Sequence, residues 1–264
     1  MLNLNNLTHS PSPYNWFMVD NLLDEVTYQE VKNEVKFIFD NIANIESSHY
    51  ENAARYDKNF PRGLSSIIGG NTEFKIKISS AEMVLNETIN DGALEKLCKN
   101  FLNKDVQINL YRLLVPFSIF DLKSIRPIKV HQEFDEMTIL DYLFFKNCFV
   151  NLKLSSYTSN FGLYQHKDHG NKVTALLLYF GFTDDIQHSG SALKLYKVSA
   201  ANKRWSKKES PPTLDYYDDK KLNLVKEIHC APNRLVGFRK TRNSWHGVDP
   251  SKFPLDVRRQ ALQI

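Results

Sequence analysis

From about residue 105 to its end the chain breaks into short runs rich in β-branched, aromatic and aliphatic residues, and this pattern limits the available architectures more than any other feature. The runs are Val106–Leu110, Cys148–Leu154, Phe161–Gln165, Val173–Phe180, Ala192–Val198, Lys226–Ile228, Leu235–Arg239 and Val257–Ile264. Turn residues punctuate several of them, among them Gly170-Asn171, Ser189-Gly190 and Pro232-Asn233. Many short strands separated by turns suggest two sheets wound as a jelly roll, a double-stranded β-helix.

The first part of the chain reads differently. Residues 1–13 are polar, contain Pro11 and Pro13, and read as a loose lead-in. Tyr14 to Val19 is apolar and strand-like. Asp24 has the character of an N-cap for a helix running to about Phe39, with Val31, Val35 and Ile38 on one face. Ser48 to Gly70 has no clear period and closes on the turn Gly69-Gly70. Residues 79–103 read as helix, with a break near Asn90-Asp91-Gly92. The expectation is an α+β fold: a mostly helical support region over 1–104 packed on a jelly-roll core over 105–264, together one compact domain of 264 residues.

Charge and cysteine usage exclude some classes of function. The net charge is +4, and 30 acidic residues are interspersed with 34 basic ones. That is an ordinary mixed surface and points away from nucleic acid as a partner. Cys98, Cys148 and Cys230 are far apart and form no CxxC pair, which fits a cytoplasmic protein rather than a disulfide framework. The N-terminus lacks the charged-then-apolar form of a signal peptide, and no apolar run approaches a membrane span. Oligomeric state is not legible. The stretch from Ser199 to Asn223 contains Trp205, Pro211-Pro212, Tyr216-Tyr217 and many lysines. A connection this long reads as an active-site lid or a solvated loop, with a nucleic-acid contact as the lesser alternative.

Eight histidines are present. His166 and Asp168 stand two apart in Leu163-Tyr164-Gln165-His166-Lys167-Asp168-His169-Gly170, at the end of an apolar strand. Residues i and i+2 of a strand point to one side, so the imidazole and the carboxylate share a face. They supply two ligands of a 2-His-1-carboxylate facial triad, an iron(II) site with open positions. His246, in Asn243-Ser244-Trp245-His246-Gly247-Val248, is the candidate third ligand. His131-Gln132-Glu133 has almost the same form but no clear strand before it and reads as a decoy. His169 is a candidate neighbour of the ligands, His229 a structural residue at a strand end, and His9, His49 and His188 read as loop or surface residues.

Over residues 148–264 the chain resembles the iron(II) and 2-oxoglutarate dependent dioxygenases of the prolyl-4-hydroxylase-like group. The resemblance is carried, in order, by YTSNFGLYQHKDH, KVTALLLYF, GSALKLY, APNRLVGFRKTRNSWHGVDP and VRRQALQI. The opening PYNWFMVDNLLDEVTYQEV is also similar, less specifically. The resemblance implies Fe(II) held by His166, Asp168 and His246, with 2-oxoglutarate as co-substrate and O2 as oxidant. It implies an Arg after the distal His that grips the far carboxylate of 2-oxoglutarate with two parallel bonds. Arg258 and Arg259 are the candidates. Only one can face inward, and Arg259-Gln260-Ala261-Leu262 favours Arg259. Tyr157, nine residues before His166, holds the place of a tyrosine that touches the co-substrate in prolyl hydroxylases, and reads equally as a core aromatic.

The implied activity is hydroxylation of a C–H bond in a small molecule or a peptidyl side chain. Arg55-Tyr56 could reach such a substrate, although a surface arginine is the plainer reading. The alternatives are a non-catalytic metal-binding jelly roll of cupin type and an isomerase-like cupin without redox chemistry. The Arg258-Arg259 pair argues against the first, and turnover of 2-oxoglutarate would exclude the second.

Overall fold

The computed structural model describes residues 2–40, 50–52, 67–68, 71–76, 92–114, 128–131, 146–150, 152–157, 162–168, 173–188, 192–198, 222–241, 243–248, 254 and 256–264. Strands of antiparallel sheets are the largest class among the described residues, accompanied by three helices.

Asp24 starts the first helix as its sequence suggests. Its Oδ1 accepts from the Thr27 backbone N–H at 3.0 Å and its Oδ2 from the Thr27 hydroxyl. The helix, α1 (Glu25–Asp40), buries Tyr28, Val31, Val35 and Ile38. The second helix, α2 (Ala93–Leu102), begins at Gly92 and is capped from α1: Glu34 accepts the Ala93 and Leu94 N–H groups at 2.8 Å each. The third, α3 (Lys104–Leu114), corrects the expectation of a strand over Val106–Leu110. Asn103 accepts from the N–H groups of Asp105 and Val106, and Leu110 and Leu114 are buried one helical turn apart. Capping and a 3.6-residue period therefore outweigh the strand character of Val106-Gln107-Ile108.

The strands run β1 (Leu7–Ser10), β2 (Trp16–Val19), β3 (Tyr50–Asn52), β4 (Ile67–Ile68), β5 (Asn71–Ile76), β6 (Ile128–His131), β7 (Lys146–Phe149), β8 (Leu152–Tyr157), β9 (Gly162–His166), β10 (Thr174–Phe182), β11 (Leu193–Val198), β12 (Leu222–Ile228), β13 (Arg234–Arg239), β14 (Trp245–Val248) and β15 (Arg259–Gln263). Three further expectations are corrected here. Part of the lead-in is a strand, β1, paired with β2. The run Cys148–Leu154 is two strands, β7 and β8. A strand, β6, does precede the His131 decoy and pairs in parallel with β7. The turns at Gly69-Gly70 and Gly170-Asn171, His49, Arg55-Tyr56, His169 and the 199–221 stretch lie outside the described residues, whereas 222–223 already belong to β12.

A large sheet has the order β1-β2-β13-β10-β15-β8-β5-β3, and a small one β12-β11-β14-β9-β4. From β8 to β15 the pairing is nested: β8 with β15, β9 with β14, β10 with β13 and β11 with β12, all antiparallel. The large sheet is apolar on both faces. One face packs on the helices through Phe17, Val19, Leu176, Leu178, Leu235 and Leu262. The other meets the small sheet, where Tyr179, Val236, Phe238 and Ala261 pack with Leu193, Leu195 and Ile228.

In β10 a bulge between Tyr179 and Gly181 reverses the alternation, so Phe180 faces the helices while Phe182 faces the sheet interior. Gly181 has φ +88°, and a Cβ there would sit 3.1 Å from Pro232. No helix among the described residues is long and apolar enough to cross a membrane.

Candidate metal centre

β14 lies between β9 and β11, with His246 paired directly with His166 on one side and Leu195 on the other. Paired residues share a face, so the register alone turns both imidazoles toward one side of the small sheet. That side is the interior: the Phe238 ring of the opposite sheet lies 4.6 Å from the His246 ring at 52°. The two imidazoles are 4.3 Å apart, and each residue is about 95% buried, with 4% of His166 and 5% of His246 exposed.

Asp168 lies two residues past His166, just beyond the end of β9 rather than within it. Its Oδ2 stands 3.8 Å from His246 Nε2. One potential ligand atom from each of His166, Asp168 and His246 falls in a group spanning no more than 4.8 Å. Among the described residues this is the one cluster of three or more metal-binding side chains.

The turn from β13 to β14 orients His246. Ser244 Oγ donates to the Thr241 carbonyl at 2.9 Å and accepts from the Thr241 N–H at 3.0 Å. This holds the Ser244 carbonyl 3.0 Å from His246 Nδ1. The carbonyl can only accept, so Nδ1 carries the proton and Nε2 keeps its lone pair on the side of Asp168. One residue on, the Trp245 carbonyl accepts from the Tyr14 hydroxyl at 2.9 Å. Burial, then the charge of Asp168, then Tyr196, push the Tyr14 phenol well above the ordinary range, so it remains a donor. The Lys167 ammonium lies over the Trp245 ring, 4.8 Å from its centroid.

A second polar group lies on the inner face of the large sheet. Arg259 shares the parity of Ala261 in β15, and Ala261 belongs to the cluster between the sheets. Arg259 is 3% exposed, with its guanidinium 4.5 Å from the Tyr157 ring and 5.8 Å from the Tyr179 ring. Tyr157 is its cross-strand partner and is buried. Gln263 donates to the Tyr157 hydroxyl and, at 2.6 Å, to Ser155 Oγ. Arg258 has the opposite parity and is partly exposed. Its backbone pairs with Thr183.

Of the other histidines, His9 and His229 are exposed. His188 is half-buried, stacks edge-on against Phe182 and bonds Asp184 at 2.7 Å. Reading the sequence missed the roles of Tyr14 and Ser244. Their only signal was proximity in sequence to strand ends that the fold later brings together.

No protein-family model matches the chain, and no curated protein matches it. Solved structures similar to this chain include two prolyl hydroxylases, at low identity. A prolyl-4-hydroxylase from Pseudomonas putida matches with TM-score 0.46 and 12% identity, over 96% of this chain and 92% of that one. A prolyl hydroxylase from Trichoplax adhaerens, solved with a hypoxia inducible factor peptide, matches with TM-score 0.45 and 15% identity over 94% and 81%. AviO1 from Streptomyces viridochromogenes matches with TM-score 0.46 and 13% identity over 94% and 87%. Likeness at this level assigns no role to any residue of this chain, so the functional case rests on the site itself.

Proposed function

We propose that this protein is an iron(II) and 2-oxoglutarate dependent dioxygenase that hydroxylates a C–H bond of a small-molecule or peptidyl substrate. The observation that carries the proposal is the convergence of His166, Asp168 and His246, whose ligand atoms lie within 4.8 Å of one another. Two imidazoles and one carboxylate suit a first-row divalent metal and leave coordination positions for other ligands. The proton on His246 Nδ1 leaves its Nε2 available as a ligand, so the donors fit the metal.

We take the core to be a double-stranded β-helix. The nested pairing of β8 to β15 supports this, since it is the pattern of one long hairpin folded over on itself. We also propose that residues 1–104 serve as support for a core over 105–264 within one unit. That support is a mixed one, with β2 and β5 added to the large sheet beside β13 and β8.

When bound, the metal with 2-oxoglutarate and O2 would supply the oxidising chemistry. The chain's own residues do the rest. Asp168 would offer a negative charge to the metal, and the imidazoles of His166 and His246 would supply the nitrogen ligands. Arg259 is our choice to receive the far carboxylate of 2-oxoglutarate, because its parity and burial turn a guanidinium into the space between the sheets. Tyr157 would flank that carboxylate. Phe238 and Leu195 form an apolar wall that keeps water from the site.

Anaerobic titration calorimetry with iron(II) tests the metal. The wild type is expected to bind one equivalent, and Asp168→Ala to lose most of the affinity. Succinate release from 2-oxoglutarate under oxygen tests the activity. Iron binding without any succinate would leave a non-catalytic metal-binding protein, and unchanged iron affinity in Asp168→Ala would remove the site altogether.

A further inference from the structure

Hydrogen bonds fix residues 12–16, the segment that leads into β2. Asn15 donates from Nδ2 to the Leu114 carbonyl at 2.7 Å, at the C-terminal end of α3. The Asn15 carbonyl accepts the Arg239 N–H at 2.9 Å, where β13 ends. Trp16 Nε1 donates back to the Ser12 carbonyl at 2.8 Å. Tyr14 is buried within this frame, so its backbone has little freedom and its phenol a fixed reach.

The Tyr14 side chain meets the surroundings of His246 in two ways. Its hydroxyl donates to the Trp245 carbonyl at 2.9 Å, the oxygen of the peptide that joins Trp245 to His246. That peptide is planar and rigid, so holding its oxygen constrains the Cα of His246. Its ring meets Phe238 edge-on, with centroids 5.9 Å apart, and the Phe238 ring in turn lies 4.6 Å from the His246 ring. The imidazole itself is held by the Ser244 carbonyl. Ring and backbone of His246 are thus secured from different parts of the chain, the turn before β14 and the N-terminal segment.

We propose that Tyr14 is a positioning residue for His246, through which the N-terminal segment holds this candidate ligand in place and, on the functional reading above, sets the affinity of the centre for its metal.

Tyr28 supplies the comparison that separates positioning from plain stability. Its hydroxyl also donates to a backbone carbonyl, that of Phe180 at 2.7 Å, but in the core between the helices and the large sheet. Tyr14→Phe and Tyr28→Phe each remove one buried phenol-to-carbonyl bond and keep the ring, so their cost in stability is of one kind.

The test uses the full-length chain labelled with 15N-histidine, as wild type and as both variants. Exchange of the His246 Nδ1 proton with water is followed in the metal-free protein, the signal being assigned by its loss in His246→Gln. Iron(II) affinity is read by anaerobic calorimetry. In Tyr14→Phe the proton should exchange about tenfold faster and the iron affinity fall about tenfold, whereas Tyr28→Phe should match the wild type in both.

Proton exchange in Tyr14→Phe equal to that in Tyr28→Phe, or no protected Nδ1 proton in the wild type, would overturn the positioning role. A wild type that takes no iron removes the metal and leaves the proton exchange to decide the role of Tyr14. Iron bound equally well by the wild type and Tyr14→Phe keeps the metal and removes the role.

Discussion

Arg258 and Arg259 are adjacent in the chain and end on opposite faces of one strand. Their difference gives a sharp comparison at the residue scale. Arg259→Ala is expected to raise the 2-oxoglutarate requirement by about 2–5 kcal/mol, the cost of deleting one member of a buried charge pair. Arg258→Ala should shift it little. Titration of 2-oxoglutarate into the iron-loaded anaerobic protein reads both, and a larger effect at Arg258 would reverse the assignment. Tyr14→Phe probes the other end of the site. Loss of the bond to the Trp245 carbonyl should cost about 0.5–1.5 kcal/mol of stability by urea unfolding. The candidate ligands were legible in the sequence because the two-residue spacing of His166 and Asp168 at a strand end is followed, in order, by further strand motifs and the Trp245-His246-Gly247-Val248 segment; the spacing alone is a weak signal. Tyr14 and Ser244 were not, since a hydroxyl has no periodicity and their partners are backbone carbonyls.

Helix ends are where the elements depend on single side chains. Glu34 is supplied by α1 but caps α2, so Glu34→Ala should cost about 1–2 kcal/mol. Helical content should fall in proportion to α2 and not α1. Circular dichroism across a denaturant titration reads this, and an unchanged midpoint would mean that solvent caps α2 equally well. Asp24 is held below the usual carboxylate range by the Thr27 backbone N–H first and its hydroxyl second. A depressed folded-state value means that Asp24 contributes stability above the ordinary aspartate pKa and loses it as pH falls through the folded-state value. Asp24→Asn should therefore flatten part of the acid limb of the melting-temperature profile. The same elements explain where sequence reading failed. Val106-Gln107-Ile108 alternates like a strand, and only the cap at Asn103 and the far positions Leu110 and Leu114 reveal the helix. In β1 the side chains are mostly exposed, so no hydrophobic pattern marks it. β14 is four residues long, too short for any period to show.

For the whole molecule, the nearest thing to a domain boundary in the sequence is crossed by hydrogen bonds in the fold. β2 covers β13, and without it the apolar residues Val236 and Phe238 would lie on an open sheet edge. Deletion of residues 1–23 should therefore produce aggregation instead of a smaller active core, as read by light scattering on purified protein. The nested pairing has a different consequence. The connection between β11 and β12 is the tip of the folded hairpin, and each strand before it is matched with one after it. Cutting the chain there would give two pieces that complement each other strand for strand. One would carry His166 and Asp168, the other His246 and Arg259. Neither piece alone holds all three candidate ligands, so a divalent metal at the proposed centre would act as a reversible clasp between them, and their reassembly could be switched on with the ion and off with a chelator.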